Sequence, residues 1–186
     1  MIGYAICGSF CTFSDSLAEL ERLVNSGCEI QPIMSETAYS RDTRFFKAND
    51  FVGRVEKLCG KSVIHTVEDA EPFGAIRPLE YLIVSPCTGN TLAKIANGIT
   101  DTAVTMAAKA HLRCDRPLLI ALASNDAMSQ NLANIARLIT RKSVYFLPLL
   151  QDSPKNKPHS LVADFSRLGD GLSAMKENRQ LRPLFL

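Results

Sequence analysis

Three short stretches of this sequence carry more small hydroxyl and amide side chains than a turn requires. The longest, "SPCTGNTLAKIANGITDT" (Ser85 to Thr102), leaves the apolar run "YLIVS" and presents Ser, Thr, Gly and Asn in close succession before a helical pattern resumes. Pro86 is expected to stop the strand, Gly89 to permit a positive φ, and Thr88 or Asn90 to cap the next helix. One cap does not use all of Ser85, Thr88 and Asn90. In "CGSFCT" (Cys7 to Thr12), Gly8 lets backbone approach closely, and Ser9 and Thr12 offer hydroxyls where another helix begins. The third stretch is "SNDAMSQN" (Ser124 to Asn131). Helix N-termini suit anions, because their first N–H groups lack internal partners and the dipole adds roughly 0.3 to 1 kcal/mol. The spacing matches neither the G-x-G-x-x-G of a dinucleotide fold nor the G-x-x-x-x-G-K-[ST] of a P-loop. Taken alone, the first loop reads as a tight strand-to-helix turn more readily than as a phosphate site, since every such fold has this turn.

The elements that must position these loops alternate between β-rich runs and helical periods, the pattern of an α/β layer fold. Strands are expected at Ile2 to Cys7, Glu29 to Met34, Tyr81 to Ser85, Pro117 to Ala123 and Ser143 to Leu149, with "SVIH" before His65 a possible sixth. Leu17, Leu20, Leu23 and Val24 define an amphipathic helix, with Ser14 as N-cap and Gly27 as stop. Further helices are expected after Asn90, over Thr102 to Leu112, and from about Ala127 to Thr140 with Leu132, Ile135, Ala136 and Ile139 facing inward. Strands joined by crossover helices make a doubly wound, mostly parallel sheet, whose ligands bind beyond the carboxyl ends of the strands. All three polar loops fall there. The chain reads as one domain over residues 1–186, with a polar excursion near 151–160, then a helical period from Leu161 and an apolar tail, "LRPLFL".

A net charge of +2, with basic residues scattered along the chain, excludes a nucleic-acid partner as an expectation. The apolar start is too short to span a bilayer and lacks a basic signal-peptide flank, so a cytoplasmic protein without a membrane segment is expected. Six cysteines at irregular spacings contain no C-x-x-C pair and read as reduced, mostly buried thiols; three dispersed histidines suggest no metal site.

The motifs "SPCTGNTLAKIANGITDT" and "GSF" resemble the flavoproteins that include the FMN-dependent cysteine decarboxylases. Within them, "SPCTGNTLAKIANGITDTAVTMAAKAHLR", "SNDAMSQNLANI", "LPLLQDSPKNKPHSLVAD" and "QLRPLFL" resemble the family of dipicolinate synthase B subunits. The resemblance covers nearly the whole chain. It implies a flavodoxin-like three-layer α/β/α sandwich, an FMN site, self-association, and a partner A subunit carrying NAD(P). The implied role is formation of pyridine-2,6-dicarboxylate from 4-hydroxytetrahydrodipicolinate or dihydrodipicolinate, in the mother cell of a sporulating bacterium. By the same resemblance, Gly8, Ser9 and Phe10 would meet the flavin phosphate and ribityl chain, and Ser35 would lie near the ring. Ser85, Thr88 and Asn90 would contact phosphate or ribityl hydroxyls, with Asp101 and Thr105 bracketing the far side.

The decarboxylases' substrate clamp, P-x-M-N-x-x-M, survives only as "ASNDAM". Asn125 and Met128 remain, Ser124 replaces the first Met, and these three are the implied substrate residues. Counting back from Pro86 puts Pro72 where the decarboxylases have their catalytic histidine, with His65 seven residues earlier, so cysteine decarboxylation is not expected. A cyclic diacid that loses water and two hydrogens needs a hydride acceptor, which side chains do not supply, and cationic or amide donors. Arg77, Lys94, Lys109, Arg113 and Arg116 are available cations. The rival reading is a non-catalytic scaffold that keeps the fold as an interaction surface; a bound flavin colours the protein and a scaffold stays colourless.

Overall fold

The computed structural model describes residues 1–186. Seven strands form one sheet: β1 Ile2–Ile6, β2 Ile30–Met34, β3 Tyr81–Thr88, β4 Leu118–Ser124, β5 Val144–Phe146, β6 Leu149–Leu150 and β7 Leu161–Ala163. Eight helices accompany them: α1 Phe13–Asn25, α2 Glu36–Ser40, α3 Ala48–Cys59, α4 Val67–Ala70, α5 Gly89–Asn97, α6 Ala103–Leu112, α7 Leu132–Ile139 and α8 Leu168–Lys176. The first five strands are parallel in the order β2-β1-β3-β4-β5, the doubly wound arrangement of a flavodoxin-like fold. α1, α3 and α8 pack together on one face of the sheet, and α4, α5, α6 and α7 form the other helical layer.

β1, β2 and β4 are buried at every position, as continuous apolar strands covered on both faces must be. A core of 49 buried residues runs from Ile2 to Leu184. Within it Phe13 of α1 stacks on Phe51 of α3 with ring centroids 4.4 Å apart. Burying each such side chain contributes roughly 1.5 to 3 kcal/mol. Gly27 stops α1 from the left-handed region at φ +85°, as expected.

Six expectations about the elements need correction, and two of them are local: α1 already begins at Phe13, so Ser14 lies inside the helix and Thr12 takes the N-cap position, and Gly89 opens α5 without a positive φ. Pro86 does not end β3: the strand continues to Thr88, and its register against β4 slips between Val84 and Cys87, where a residue without an N–H cannot hold the ladder. The run Ser143 to Leu149 is not one strand, because Pro148 separates β5 from β6 and the chain turns away. Leu161 does not begin a helix; it begins β7, which pairs antiparallel with β6 and with the last two residues of β4. α7 starts only at Leu132, and it buries Ile135 and Leu138 while Leu132 and Ala136 are exposed. "SVIH" adds a single parallel bridge, Ile64 to Ile33, on the outer edge of β2. α2, α3 and α4 complete the segment between β2 and β3.

β4 shares one edge between two partners, β5 along Leu118–Ile120 and β7 along Ala123–Ser124. The β6–β7 hairpin therefore docks at the carboxyl end of β4, and its connection, residues 151–160, is the polar excursion. Its position follows from that pairing.

Tyr4 is fully buried; its hydroxyl donates its one proton to the Ser16 carbonyl at 2.8 Å and lies 3.0 Å from Ser85 Oγ. The Ser16 hydroxyl donates in turn to the Ser85 carbonyl at 2.7 Å. Tyr4→Phe is expected to cost about 1 kcal/mol, because Ser16 and Ser85 keep each other as partners. Urea unfolding of the variant measures this, and a loss above about 3 kcal/mol would mean that the tyrosine alone holds the cluster.

Candidate functional site

Two adjoining clefts open where β1 and β3 diverge toward their following helices, the point at which strand order reverses. One has a volume of about 710 Å³ and the other about 380 Å³. They share Gly8, Thr88 and Asn90 as a common wall. These sizes are those of small-molecule sites.

Thr88 is the cap of α5: its Oγ1 accepts from the Thr91 N–H at 3.2 Å. Asn90, one residue into the helix, is exposed to both clefts, and its amide has no hydrogen-bond partner within the chain. Asn125, which also lines the larger cleft, is likewise exposed and unpartnered. In the first loop, Ser9 accepts from Thr12 Oγ1 at 3.1 Å, and the Phe10 ring lies 5.2 Å from Phe13, backed by that aromatic cluster. Ser35 caps α2, accepting from the Ala38 N–H at 3.3 Å, and lines the smaller cleft.

The floor is a charged hydrogen-bond network. Ser124 Oγ donates to Asp126 Oδ1 at 2.5 Å and Asn131 Nδ2 donates to the same oxygen at 2.9 Å. The Ser124 hydroxyl is the first cause holding the Asp126 carboxyl below its ordinary range. Asn131 passes the chain of bonds outward to Asn134 at 3.0 Å. Each cleft also contains one lysine, already paired: Lys157 Nζ with Asp152 at 2.8 Å, and Lys94 Nζ with Asp101 at 2.7 Å.

The structure brings Gly8, Ser9, Phe10, Thr88, Asn90, Ser124 and Asn125 together around the larger cleft, and Ser35 and Asp101 around the smaller. Three residues implied by the resemblance lie elsewhere. Ser85 is fully buried and committed to Tyr4 and Ser16. Thr105 is buried in a reciprocal cap with Thr102 at the start of α6. Met128 does not line either cleft; its N–H donates to the His159 carbonyl and its sulfur faces Gln151. Asp126, Asn131, Asp152, Lys157 and Ser160 line the larger cleft although the sequence did not single them out. The first two sat inside the quoted polar cluster; the others belong to the hairpin loop that looked like bare surface.

Of the five cations considered for a diacid, only Lys94 reaches a cleft. Arg116 donates to the Gly74 carbonyl at 3.1 Å, and Arg77 lies over the Phe73 ring. The thiols are less uniformly buried than expected: Cys7 and Cys87 are buried, three are half-buried, and Cys11 is exposed in the cleft wall. Burial pushes the Cys7 thiol up to about 11 and Cys87 well above its ordinary value, so neither serves as a thiolate at neutral pH. Pro72 lies in the short 3-10 turn Glu71–Phe73 and lines neither cleft. His65 follows the Ile64 bridge at the carboxyl end of β2, and its ring stacks on Tyr39 with centroids 3.8 Å apart.

A doubly wound sheet with polar loops and helix starts around its switch point defines the class of α/β proteins that bind ligands beyond the carboxyl ends of their strands. The chain belongs to the flavoprotein family, whose model matches residues 1–182. It is 37% identical over 185 residues to the B subunit of dipicolinate synthase of Bacillus subtilis (strain 168), covering 100% of this chain and 92% of that one. The crystal structure of the corresponding dipicolinate synthase polypeptide from Bacillus halodurans superposes with a TM-score of 0.91 at 35% identity, over 100% of this chain and 95% of that one. The FMN-dependent cysteine decarboxylase SpaF shares the fold, with a TM-score of 0.68 at 21% identity and 95% of each chain covered. No helix is long and apolar enough to cross a membrane.

Proposed function

We propose that this chain is a dipicolinate synthase B subunit that binds FMN across the two clefts. With a nicotinamide-binding A subunit, it takes part in converting 4-hydroxytetrahydrodipicolinate, or its dehydrated form, to pyridine-2,6-dicarboxylate during sporulation. The observation that carries the reading is the pair of unspent amides, Asn90 and Asn125, lining one cleft just beyond the paired ends of β3 and β4, in a chain related over its full length to such subunits. The site fits a phosphate-bearing ring ligand. Helix α5 points its N-terminus at the wall shared by both clefts. Because Lys94 and Lys157 are already paired, phosphate recognition falls on backbone N–H groups and neutral donors.

The reaction removes water from the ring, then a hydride and a proton. A bound flavin would supply a hydride acceptor, as would NAD(P) held by the partner. The residues of this chain bind and orient. The Asn125 amide can donate to a substrate carboxylate, and the Ser124–Asp126–Asn131 network fixes the floor beneath the ring. Leu150, Phe185 and Leu186 leave an exposed apolar edge beside β6, where self-association is expected.

Absorbance between roughly 350 and 500 nm after incubation with FMN tests the first step. A chain that stays colourless favours the scaffold reading. Asn90→Ala is expected to weaken FMN binding by about 1 to 3 kcal/mol, roughly 5- to 150-fold in Kd, and an unchanged titration would place the ligand elsewhere. Turnover is expected only when both subunits are mixed; full activity of the isolated chain would overturn the division of labour.

A further inference from the structure

A third cavity, about 200 Å³, opens between the end of α5, the outer face of α6 and the turn after α7. Its floor is apolar, made by the buried Ile95 and Leu112 and by Ile99, which is 49% exposed. Lys109, Arg113 and Arg141 stand around it, and no Asp or Glu lines it. Arg113 leans toward Glu71 at 3.4 Å, whereas Lys109 and Arg141 form no ion pair. Cations in the last turn of α6 complement the helix dipole, which accounts for Lys109 and Arg113. It does not account for Arg141, which comes from another element, or for a large aliphatic side chain left open among three positive charges.

We infer that this cavity is a second binding site, separate from the two clefts, for a small aromatic carboxylate: a six-membered ring bearing one or two carboxyl groups. Charge and shape both select that class. Two unneutralised cations facing one depression raise the local potential, which an anion lowers and a neutral ligand does not. An inorganic anion would satisfy the charge and leave Ile99 in water; a ring laid on Ile95, Ile99 and Leu112 removes that apolar surface while its carboxylate meets Lys109 and Arg141. The volume is below the usual range for drug-sized or nucleotide ligands, so a single ring is the body that fits. This assignment uses nothing from the flavin reading.

Calorimetric titration of the full chain with benzoate and with pyridine-2,6-dicarboxylate, against sulfate at matched ionic strength, reads the site. Both ring carboxylates are expected to bind saturably, and sulfate about tenfold more weakly or worse. The double variant Lys109→Met with Arg141→Met should lose about tenfold or more in affinity for the ring ligands at an unchanged Tm, since both side chains are exposed. Equal binding of sulfate and benzoate would overturn the assignment, as would the absence of saturation. So would a loss of binding in Asn90→Ala that the double variant does not reproduce, because it would put the ring carboxylates in the main cleft. FMN titrated into the wild type and the double variant reads the other site; failure there counts against the flavin reading and leaves this one standing.

Discussion

Replacing Gly89 with alanine is expected to break the floor of the larger cleft. A β-carbon at this position would lie 2.5 Å from Ser124 Oγ, 2.6 Å from Asn131 Nδ2 and 3.0 Å from Asp126 Oδ1. All three atoms belong to one hydrogen-bonded unit, and Ser124 and Asn131 are buried. Neither donor can move aside without leaving the ionised Asp126 carboxylate short of a partner. Overpacking costs about 1 to 3 kcal/mol, and loosening a hydrogen bond to a charged group costs a comparable amount. We expect a net loss of about 3 kcal/mol, seen as a Tm lower by roughly 6 to 12 °C for a chain of this length. FMN affinity should fall with it, because Gly89 lies between Thr88 and Asn90 in the cleft wall. Gly53→Ala is the control: a β-carbon there meets nothing within 4 Å in a regular helix, so stability should be unchanged or slightly raised. Equal Tm values for the two variants would show that the floor is not rigid.

What the sequence discloses and what it hides divide along physical lines. β1, β2 and β4 were legible because strands buried on both faces are continuous apolar runs with nothing to confuse their period. β7 was not. It is three residues long, with Leu161 and Ala163 facing the core and Val162 turned to the cleft, and the helix that follows lends it a false helical period. α3 carried its signal openly, in Phe51, Val55 and Leu58 at helical spacing, but no site depended on it and it went unassigned. The loops of the site could be read from residue type, since small polar groups after strands have few structural uses. Orientation could not. Ser85, Thr105 and Asn90 look alike on paper, yet Ser85 faces Tyr4, Thr105 closes a helix cap, and only Asn90 is left free in the cleft. Lys157 and Asp152 were hidden for another reason: their place depends on a hairpin docking against an edge shared by two strands, a long-range fact with no local signature.

Lowering the pH from 7 to 4 is expected to cost the wild-type chain about 3 kcal/mol more stability than it costs His111→Gln. His111, at the end of α6, is fully buried, and its Nε2 lies 2.8 Å from the Pro117 carbonyl, so the neutral ring carries its proton on Nε2 and donates it there. Its Nδ1 is the one buried side-chain polar atom without a hydrogen-bond partner. A second proton would have to go on Nδ1, where no acceptor waits and Arg116 adds like charge. Burial is the leading cause that pushes this imidazole down from 6.5 to about 4 in the folded state. An unfolded chain binds the proton near pH 6.5, so between pH 6.5 and 4 the unfolded state holds more protons than the folded one. His111 therefore contributes its full share of stability above pH 6.5. That share is lost steadily as pH falls toward 4, and below 4 the loss is complete. A shift of 2.5 units at 1.36 kcal/mol each sets the size at about 3 kcal/mol. Glutamine keeps an amide donor for the Pro117 carbonyl and does not titrate, so carboxylate effects common to both proteins cancel in the comparison. Urea unfolding at pH 7, 5.5 and 4 measures the difference. Parallel stability curves for the two proteins would show that the ring is protonated as readily in the fold as in water, and that Nδ1 finds a partner on protonation.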